Sequence, residues 1–394
     1  MKNYLKIFLI YLLRVVLRPL HFFPLKQNRI LFCSFNGKSY NCSPKYVFEM
    51  LYSKYGSNLE YVWCIDKKNY IPDKYKCVSV KYLSISHIFY LLTSKVLISN
   101  QPIEPFLPKR KSQLFINTTH GGGAYKKGGV QASNLSKSLK FSMREMKYIR
   151  SKMIDNVLSS CQIYTEVFSS EIEYNISRDR FLPFGLPRND IFFMEGLEVI
   201  RKKVCDSLGI VEESFLVIYA PTYRGHYNHV DNIDLGLDSQ RLIKCVHEKF
   251  KKEVVLLFRH HVAAGNMNIF GENIIDVSEY QDMQELLVAS DMFITDYSSC
   301  LWDFSLSFKP GFLYVPDLKK YQHETDFHIP IDLWPFPYSL TMDELCDQIK
   351  SYNKAEAVNK INKHHQHLGS YEKGDSTSRT VDFIMNHFKV INRK

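Results

Sequence analysis

No two of the nine cysteines stand in a C-x-x-C spacing, and their number is odd. Zinc sites need ligands at short fixed spacings and disulfide frameworks need pairs, so both classes are set aside. Cys33, Cys42, Cys64, Cys77, Cys161, Cys205, Cys245, Cys300 and Cys346 mostly lie inside apolar runs such as YVWCI and read as reduced thiols of a cytosolic protein. The uninterrupted apolar run at the N-terminus, Ile7 to Leu13, falls far short of the roughly 20 residues needed to span a bilayer. No small-residue cleavage site follows it, which argues against a signal peptide. There is no internal repeat, no low-complexity segment and no recognised nucleic-acid motif, so nucleic acid is not the expected partner. Paired carboxylates are also missing, and neither a metal nor a cofactor is expected.

What is present is an ordinary globular composition over 394 residues, 45% hydrophobic and 23% charged. That length exceeds the size at which a single core stops growing, so two domains are expected. A formal charge of +10 points to an anionic partner. The opening stretch MKNYLKIFLIYLLRVVLRPLHFFP, residues 1–24, reads as an amphipathic helix. At about 100° per residue, Lys2, Lys6, Arg14 and Arg18 fall within one arc of roughly 160°, shared with Ile7 and Ile10. Such a helix lies on an anionic membrane surface with its basic side toward the headgroups. A buried core helix is the alternative.

From Arg29 onward, short apolar runs alternate with helical stretches. Strand candidates are RILFCSF, EYVWCI, KVLISN, QLFIN and CQIYT, then FLVIYAPT, EVVLLFRHH, NIIDV, MFITDYSS and GFLYVPD. Helix candidates include Pro44–Tyr55, Ser84–Thr93, Ser151–Leu158, Ser239–Lys252 and Asp282–Ala289. Near-continuous apolar strands alternating with helices imply parallel sheets buried on both faces. The chain therefore reads as α/β with two Rossmann-like domains, residues 25–190 and 191–394, divided near LPFGLPRNDIFF. The C-terminal part from Met342 is helical and basic, and its NKHHQH stretch reads as a solvated helix face.

In open α/β sheets ligands bind beyond the carboxyl ends of the strands, and polar residues collect there. After LFIN comes NTTHGGGAYKKGG: His120 is the one group able to move a proton near neutral pH. Gly121 to Gly123 can expose backbone N–H groups to an anion, and Lys126 and Lys127 can attract one. After FLVIYAP come Thr222 and Arg224, the arginine suited to clamp paired oxygens. VVLLF runs into Arg259, His260 and His261; Arg259 and His261 share a strand face. MFIT runs into Asp296, and either Ser298 or Ser299 can cap a helix whose free N–H groups suit phosphate. Asp296 reads as orienting a His or Arg, binding a hydroxyl or capping that helix, and Asp303 needs a partner if buried.

HGGGAYKKGG, GLPRND, APTYRG, RHH, TDYSSCLWDFSLSFKPGFLYVPDLKKY and GDSTSRTVDFI, in this order over about residues 30–390, resemble the CDP-glycerol glycerophosphotransferase family of teichoic acid and capsular polymer synthesis. The resemblance implies a glycosyltransferase-B fold, with an acceptor domain followed by a CDP-donor domain, on the cytoplasmic face of the membrane. It implies transfer of phosphoglycerol from CDP-glycerol to a lipid-linked glycan or polymer acceptor, with release of CMP. By that likeness His120 is the base, and Arg259 and His261 contact the donor phosphates. Ser298 and Ser299 bind phosphate. Val262 replaces the family's proline after RHH, which leaves His260 or His261 to face the donor. The length fits a priming or single-transfer enzyme. Phosphoribitol transfer, a nucleotide-sugar transferase of this fold and a non-catalytic scaffold are the rival readings.

Overall fold

The computed structural model describes residues 2–66, 71–127, 136–171, 173–222, 236–260 and 271–391. They fall into two compact units. Unit 1 is Met1–His120, Gly128–Asp190 and Ser370–Lys394; unit 2 is Gly121–Lys127 and Ile191–Gly369.

Unit 1 holds a parallel sheet of β1 (Lys26–Cys33), β2 (Glu60–Cys64), β3 (Val78–Val80), β4 (Ser94–Ser99), β5 (Leu114–Asn117), β6 (Asn156–Leu158) and β7 (Phe181–Leu182). The spatial order is β3-β2-β1-β4-β5-β6-β7, so the direction of winding reverses between β1 and β4. Cys33 at the end of β1 pairs in register with Cys64 on one side and Ser99 on the other. β4 and β5 are buried along their whole length, as expected for strands covered on both faces. The helices of this unit are α1 (Lys2–Leu17), α2 (Cys42–Tyr55), α3 (Ile85–Thr93), α4 (Lys137–Met153) and α5 (Gln162–Ser169).

Unit 2 repeats the plan with β8 (Phe215–Tyr219), β9 (Val254–Phe258), β10 (Ile274–Asp276), β11 (Met292–Thr295), β12 (Gly311–Tyr314) and β13 (Tyr338–Ser339), all parallel. Their order is β10-β9-β8-β11-β12-β13, with the reversal between β8 and β11. Around it lie α6 (Leu197–Leu208), α7 (Ser239–Phe250), α8 (Met283–Ala289), α9 (Cys300–Ser305), α10 (Leu318–Glu324), α11 (Met342–Lys350) and α12 (Lys354–Leu368). Asp282 caps α8 through a bond from Gln284 N–H.

The last helix, α13 (Ser376–Ile391), returns to unit 1 and packs on α2, which departs from the expectation that residues 191–394 stay together. Two motifs hold it. Asp190 of GLPRND accepts the backbone N–H groups of Ser376 and Thr377 at 3.0 and 2.7 Å, capping α13. Glu372 accepts from Leu186 N–H and Asn189 Nδ2, both at 3.0 Å. Burial raises the Asp190 pKa, and these hydrogen bonds oppose the shift.

Four other expectations are corrected. Residues 151–158 are not one helix: α4 ends at Met153 and Asn156–Leu158 is β6. CQIYT, rich in strand formers, opens α5 instead, because the Cys161 sulfur accepts Tyr164 N–H and caps the helix. Cys245 of α7 and Cys346 of α11 are joined by a disulfide, 101 residues apart in sequence but 5.8 Å between Cα atoms, since the two helices pack together. The other described cysteines are free thiols.

The fourth concerns the basic arc of α1: its middle, with Ile7, Ile10 and Arg14, faces the protein, while Lys2, Lys6 and Arg18 at its edges stay exposed. Ile7 and Ile10 are buried in it, and Arg14 Nη1 donates to the carbonyls of Pro105 and Leu107 at 2.7 and 3.1 Å. The two isoleucines dictate this side. The outward arc, from Tyr11 through Tyr4, Val15, Phe8, Leu12, Leu5 and Val16 to Leu9, covers roughly 160° and is exposed. Lys2 and Lys6 border it on one flank and Arg18 on the other. Among the described residues no helix is long and apolar enough to cross a membrane.

Candidate active site

Where strand order reverses in a parallel sheet, the loops leaving the two central strands part in opposite directions and open a crevice at their carboxyl ends. In unit 1 those strands are β1 and β4; in unit 2 they are β8 and β11.

In unit 1, β1 leads to Phe35 and β4 to Asn100. Asn100 is buried, and its side-chain oxygen accepts Phe35 N–H at 2.8 Å. Its backbone carbonyl lies 3.2 Å from His120 Nδ1. A carbonyl can only accept, so Nδ1 carries the hydrogen and the neutral ring presents its lone pair at Nε2. The edge of the His120 ring meets Phe35 at 5.8 Å between centroids. β5 delivers this histidine through Thr118, whose N–H donates to Ser99 O, and Thr119, whose N–H donates to Asn117 Oδ1, both at 2.9 Å. Thr119 has φ +55°, a strained setting for a β-branched residue, and these bonds hold it.

The chain passes from unit 1 to unit 2 at the His120–Gly121 peptide bond. The glycines that follow lie on the start of α9. A Cβ at Gly121 would sit 3.0 Å from Ser299 Oγ; one at Gly122 would sit 2.6 Å from Trp302 Cγ and 2.7 Å from Nε1. Gly123 has φ +77°, and a Cβ there would meet the Tyr125 ring. Close packing thus explains all three glycines before any ligand is invoked.

The loop is pinned beyond them. Tyr125 stacks on His364 and touches Trp334, with centroids at 5.7 and 4.8 Å. Its hydroxyl is 2.8 Å from His364 Nε2, while His364 Nδ1 is 2.7 Å from Leu333 O. The carbonyl fixes the hydrogen on Nδ1, so the tyrosine donates. His365 packs on Trp302 at 4.6 Å and bonds Ser305 Oγ at 2.8 Å. Burial holds His364 down to about 3 and His365 to about 4, so both are neutral at pH 7. The NKHHQH stretch is therefore not a solvated face: two of its histidines are wedges under the glycine loop. Lys127 pairs with Asp326, which takes up the charge assigned to anion attraction, and Lys126 bridges Phe327.

At the unit 2 reversal, Asp296 is fully buried. Its Oδ1 accepts from Thr222 N–H (2.8 Å) and Tyr297 N–H (2.6 Å), and its Oδ2 accepts from the Thr222 hydroxyl (3.0 Å). Asp296 thus clasps the loop after β8 to the loop after β11, and the Thr222 hydroxyl proton is committed to that clasp. Arg259 Nη1 donates to Val277 O and Tyr280 O at 3.1 and 2.8 Å. Burial lowers the Arg259 pKa from its ordinary value. His260 turns toward Asp276, 3.8 Å from Nε2 to Oδ2, and its N–H donates to Ser278. Ser298 Oγ accepts Cys300 N–H, so Ser298 supplies the cap and leaves Ser299 beside Gly121. The α9 helix has only six residues, so individual N–H groups and not a long dipole carry any attraction for anions. Asp303, buried in α9, accepts from Gln284 Nε2 at 3.0 Å.

Arg224 and His261 lie outside the described residues. Of the other expected site residues, Gly121, Gly122, Ser298 and Ser299 gather at the start of α9, Thr222 and Asp296 meet, and His120 stands with Phe35 and Asn100 in unit 1. Asn100, Phe35 and Tyr125 were not singled out from sequence, and His364 was read only as part of a solvated helix face. Asn100 carried a usable signal, since it directly follows a buried apolar strand, one residue beyond the partner of Asn117. Among the described residues no group of three or more His, Cys, Asp or Glu is placed to hold a metal.

A family model for CDP-glycerol:poly(glycerophosphate) glycerophosphotransferase matches residues 15–386. The chain is 26% identical over 388 residues to a teichoic acid poly(glycerol phosphate) polymerase of Bacillus spizizenii, covering 94% of this chain and 95% of that one. It is 27% identical over 379 residues to a teichoic acid glycerol-phosphate transferase of Staphylococcus aureus, covering 91% and 93%. It spans about half of the polymerases from Bacillus subtilis and Staphylococcus epidermidis, 45% and 51%. Since the Bacillus spizizenii relative is a polymerase of nearly equal length, length does not separate priming from polymerising. The wall teichoic acid polymerase TagF shares the fold, with a TM-score of 0.80 at 24% identity over all of both chains. The two Rossmann-like sheets with their paired order reversals, and a family match running almost from end to end, place this chain in the CDP-glycerol:poly(glycerophosphate) glycerophosphotransferase family.

Proposed function

We propose that this chain moves a phosphoglycerol unit from CDP-glycerol to a hydroxyl of a membrane-linked glycan or polymer, releasing CMP, in teichoic acid or capsule-type polymer synthesis. The observation that carries the reaction is the His120 ring, whose Nδ1 is set against the Asn100 carbonyl at 3.2 Å, so that in the neutral imidazole Nε2 is the basic nitrogen. The acceptor oxygen forms a bond to the phosphorus that carries glycerol, and the bond from that phosphorus to the CMP oxygen breaks. The proton of the acceptor hydroxyl goes to His120 Nε2. Phosphoryl transfer needs chiefly positioning and charge neutralisation, with one base for the nucleophile.

Unit 2 takes the donor in this reading. Arg259 leaves Nε and Nη2 without a hydrogen bond among the described residues, and the Ser299 hydroxyl is likewise uncommitted, so both suit phosphate oxygens. Arg224 and His261 join them by family resemblance. Thr222 and Asp296 act at one remove, holding the loop that leads to Arg224. Unit 1 takes the acceptor.

The outward face of α1 fits attachment to the cytoplasmic side of the membrane. Its apolar arc enters the acyl boundary while Lys2, Lys6 and Arg18 meet anionic headgroups at its borders. The reaction is tested by CMP release from CDP-glycerol and, in parallel, CDP-ribitol, with a lipid-linked acceptor. Acceptor-dependent release from CDP-glycerol supports the reading; release only from CDP-ribitol replaces the transferred group; binding of neither donor refutes it.

A further inference from the structure

We propose that Arg14 is a positioning residue for His120, acting through the proline-rich segment 100–108, so that α1 supports the reaction as well as attaching the protein. This rests on the reading of His120 as the base.

Arg14 does not behave as a headgroup contact. It is half-buried, and its Nη1 grips one turn of a single segment through Pro105 O and Leu107 O. Among the described residues no carboxylate pairs with it, so its whole described partnership is with that segment and with Met153 Sδ at 3.5 Å. Neighbouring contacts tighten the same seam. His21 Nε2 lies 2.7 Å from Pro108 O, and Arg110 Nη2 donates to the carbonyls of Leu20 and Phe23 at 3.2 and 2.7 Å.

The segment is built to transmit position. Pro102, Pro105 and Pro108 recur every third residue, and each ring fixes its φ. Midway, Glu104 accepts the Tyr82 hydroxyl at 2.9 Å. Beneath it lies a cavity of ≈ 20 Å³ lined in part by Pro102, Ile103, Glu104 and Leu107, room for about one water. Ile103, Pro105, Leu107 and Pro108 of the segment are buried, so it is packed as one piece, and the grips at its ends help to set where that piece sits. Its far end is Asn100, whose carbonyl holds His120 Nδ1 and whose side chain holds Phe35. At 3.2 Å the bond to His120 is already at the long limit for N–H···O, so a small displacement of Asn100 releases the ring and the tautomer it fixes.

The test uses the full chain and a short, water-soluble acceptor with a terminal glycerol hydroxyl, so that attachment to a bilayer cannot limit the rate. Arg14→Gln should lower kcat on the order of 10- to 100-fold, the scale for misplacing a catalytic group, with the KM for CDP-glycerol unchanged. The acid limb of the kcat profile should move as well, and Arg14→Lys should recover part of the loss. Binding to phosphatidylglycerol vesicles should stay intact, because the outward apolar face is untouched. Pro105→Ala, which keeps the gripped carbonyl but removes the ring, should act in the same direction and answers the question if Arg14→Gln does not fold. Wild-type kcat on the soluble acceptor in folded variants overturns the proposal, as does a loss seen only with membrane-borne acceptor. His120→Ala runs beside them. If that variant turns over normally, the reading of His120 falls and the inference with it; if it is inactive while the Arg14 and Pro105 variants are normal, only the inference falls.

Discussion

Gly122→Ala separates two explanations of the triple glycine. If the loop exists to bring backbone amides to a phosphate, an added methyl should weaken donor binding and leave the fold alone. If the loop is glycine-rich because it lies on α9, the methyl should strike Trp302. A Cβ at 122 would sit 2.6 Å from Cγ and 2.7 Å from Nε1 of a side chain with no exposed surface, backed by the His365 ring at 4.6 Å. The indole has nowhere to go, so the cost belongs at the upper end of overpacking, about 3 kcal/mol. At about 2–4 °C per kcal/mol, the melting temperature should fall by about 6–12 °C. Scanning calorimetry with isothermal titration of CDP-glycerol reads both quantities. Trp302→Ala removes the ring that the methyl strikes, so adding Gly122→Ala to that variant should cost little further, a coupling of about 1 kcal/mol or more. Gly121→Ala meets only the Ser299 side chain, at 3.0 and 3.1 Å, and should melt near the wild type. A Gly122→Ala protein of normal stability and weakened donor affinity would refute the packing explanation.

Asp296→Ala should destabilise by about 1–3 kcal/mol for each of the Thr222 and Tyr297 amides left unpaired, and Asp296→Asn by less, since an acceptor remains; equal denaturation midpoints for the two variants would remove the clasp from the account. His87, His364 and His365 are held at about 4, 3 and 4 by burial, below the ordinary 6.5. The unfolded chain then binds more protons on acidification, so stability should be full above about pH 6.5 and fall toward pH 4, by up to about 1.4 kcal/mol per pH unit for each histidine. His364→Gln should flatten that slope in urea titrations, and an unchanged slope would contradict it. Phe8→Asp with Leu12→Asp should release the protein from phosphatidylglycerol vesicles in sedimentation; continued binding would move the membrane contact elsewhere.

Strand-end reasoning put His120, Thr222, Arg259 and Asp296 just beyond buried strands, and the structure has β5, β8, β9 and β11 end shortly before them, because a buried parallel strand is legible as a short apolar run. What such runs do not carry is which strands become neighbours. The reversals at β1/β4 and β8/β11, which single out Asn100 and Asp296, are tertiary facts. The histidines of α12 were misread for the same reason: their burial depends on Tyr125 and Trp302, well over 60 positions removed in one case and about that in the other. CQIYT and α1 failed more locally. A cysteine cap outweighed strand propensity in the first, and in the second Ile7 and Ile10 chose the buried side against the charges sharing their arc.

The central claim is that His120 is the base of phosphoglycerol transfer, and single-turnover release of CMP by His120→Ala tests it most directly when CDP-glycerol affinity is measured on the same preparation. The account predicts a fall of about 10²- to 10⁴-fold in the rate with donor affinity near that of the wild type. Turnover at the wild-type rate, or a loss explained wholly by weaker donor binding, would contradict it.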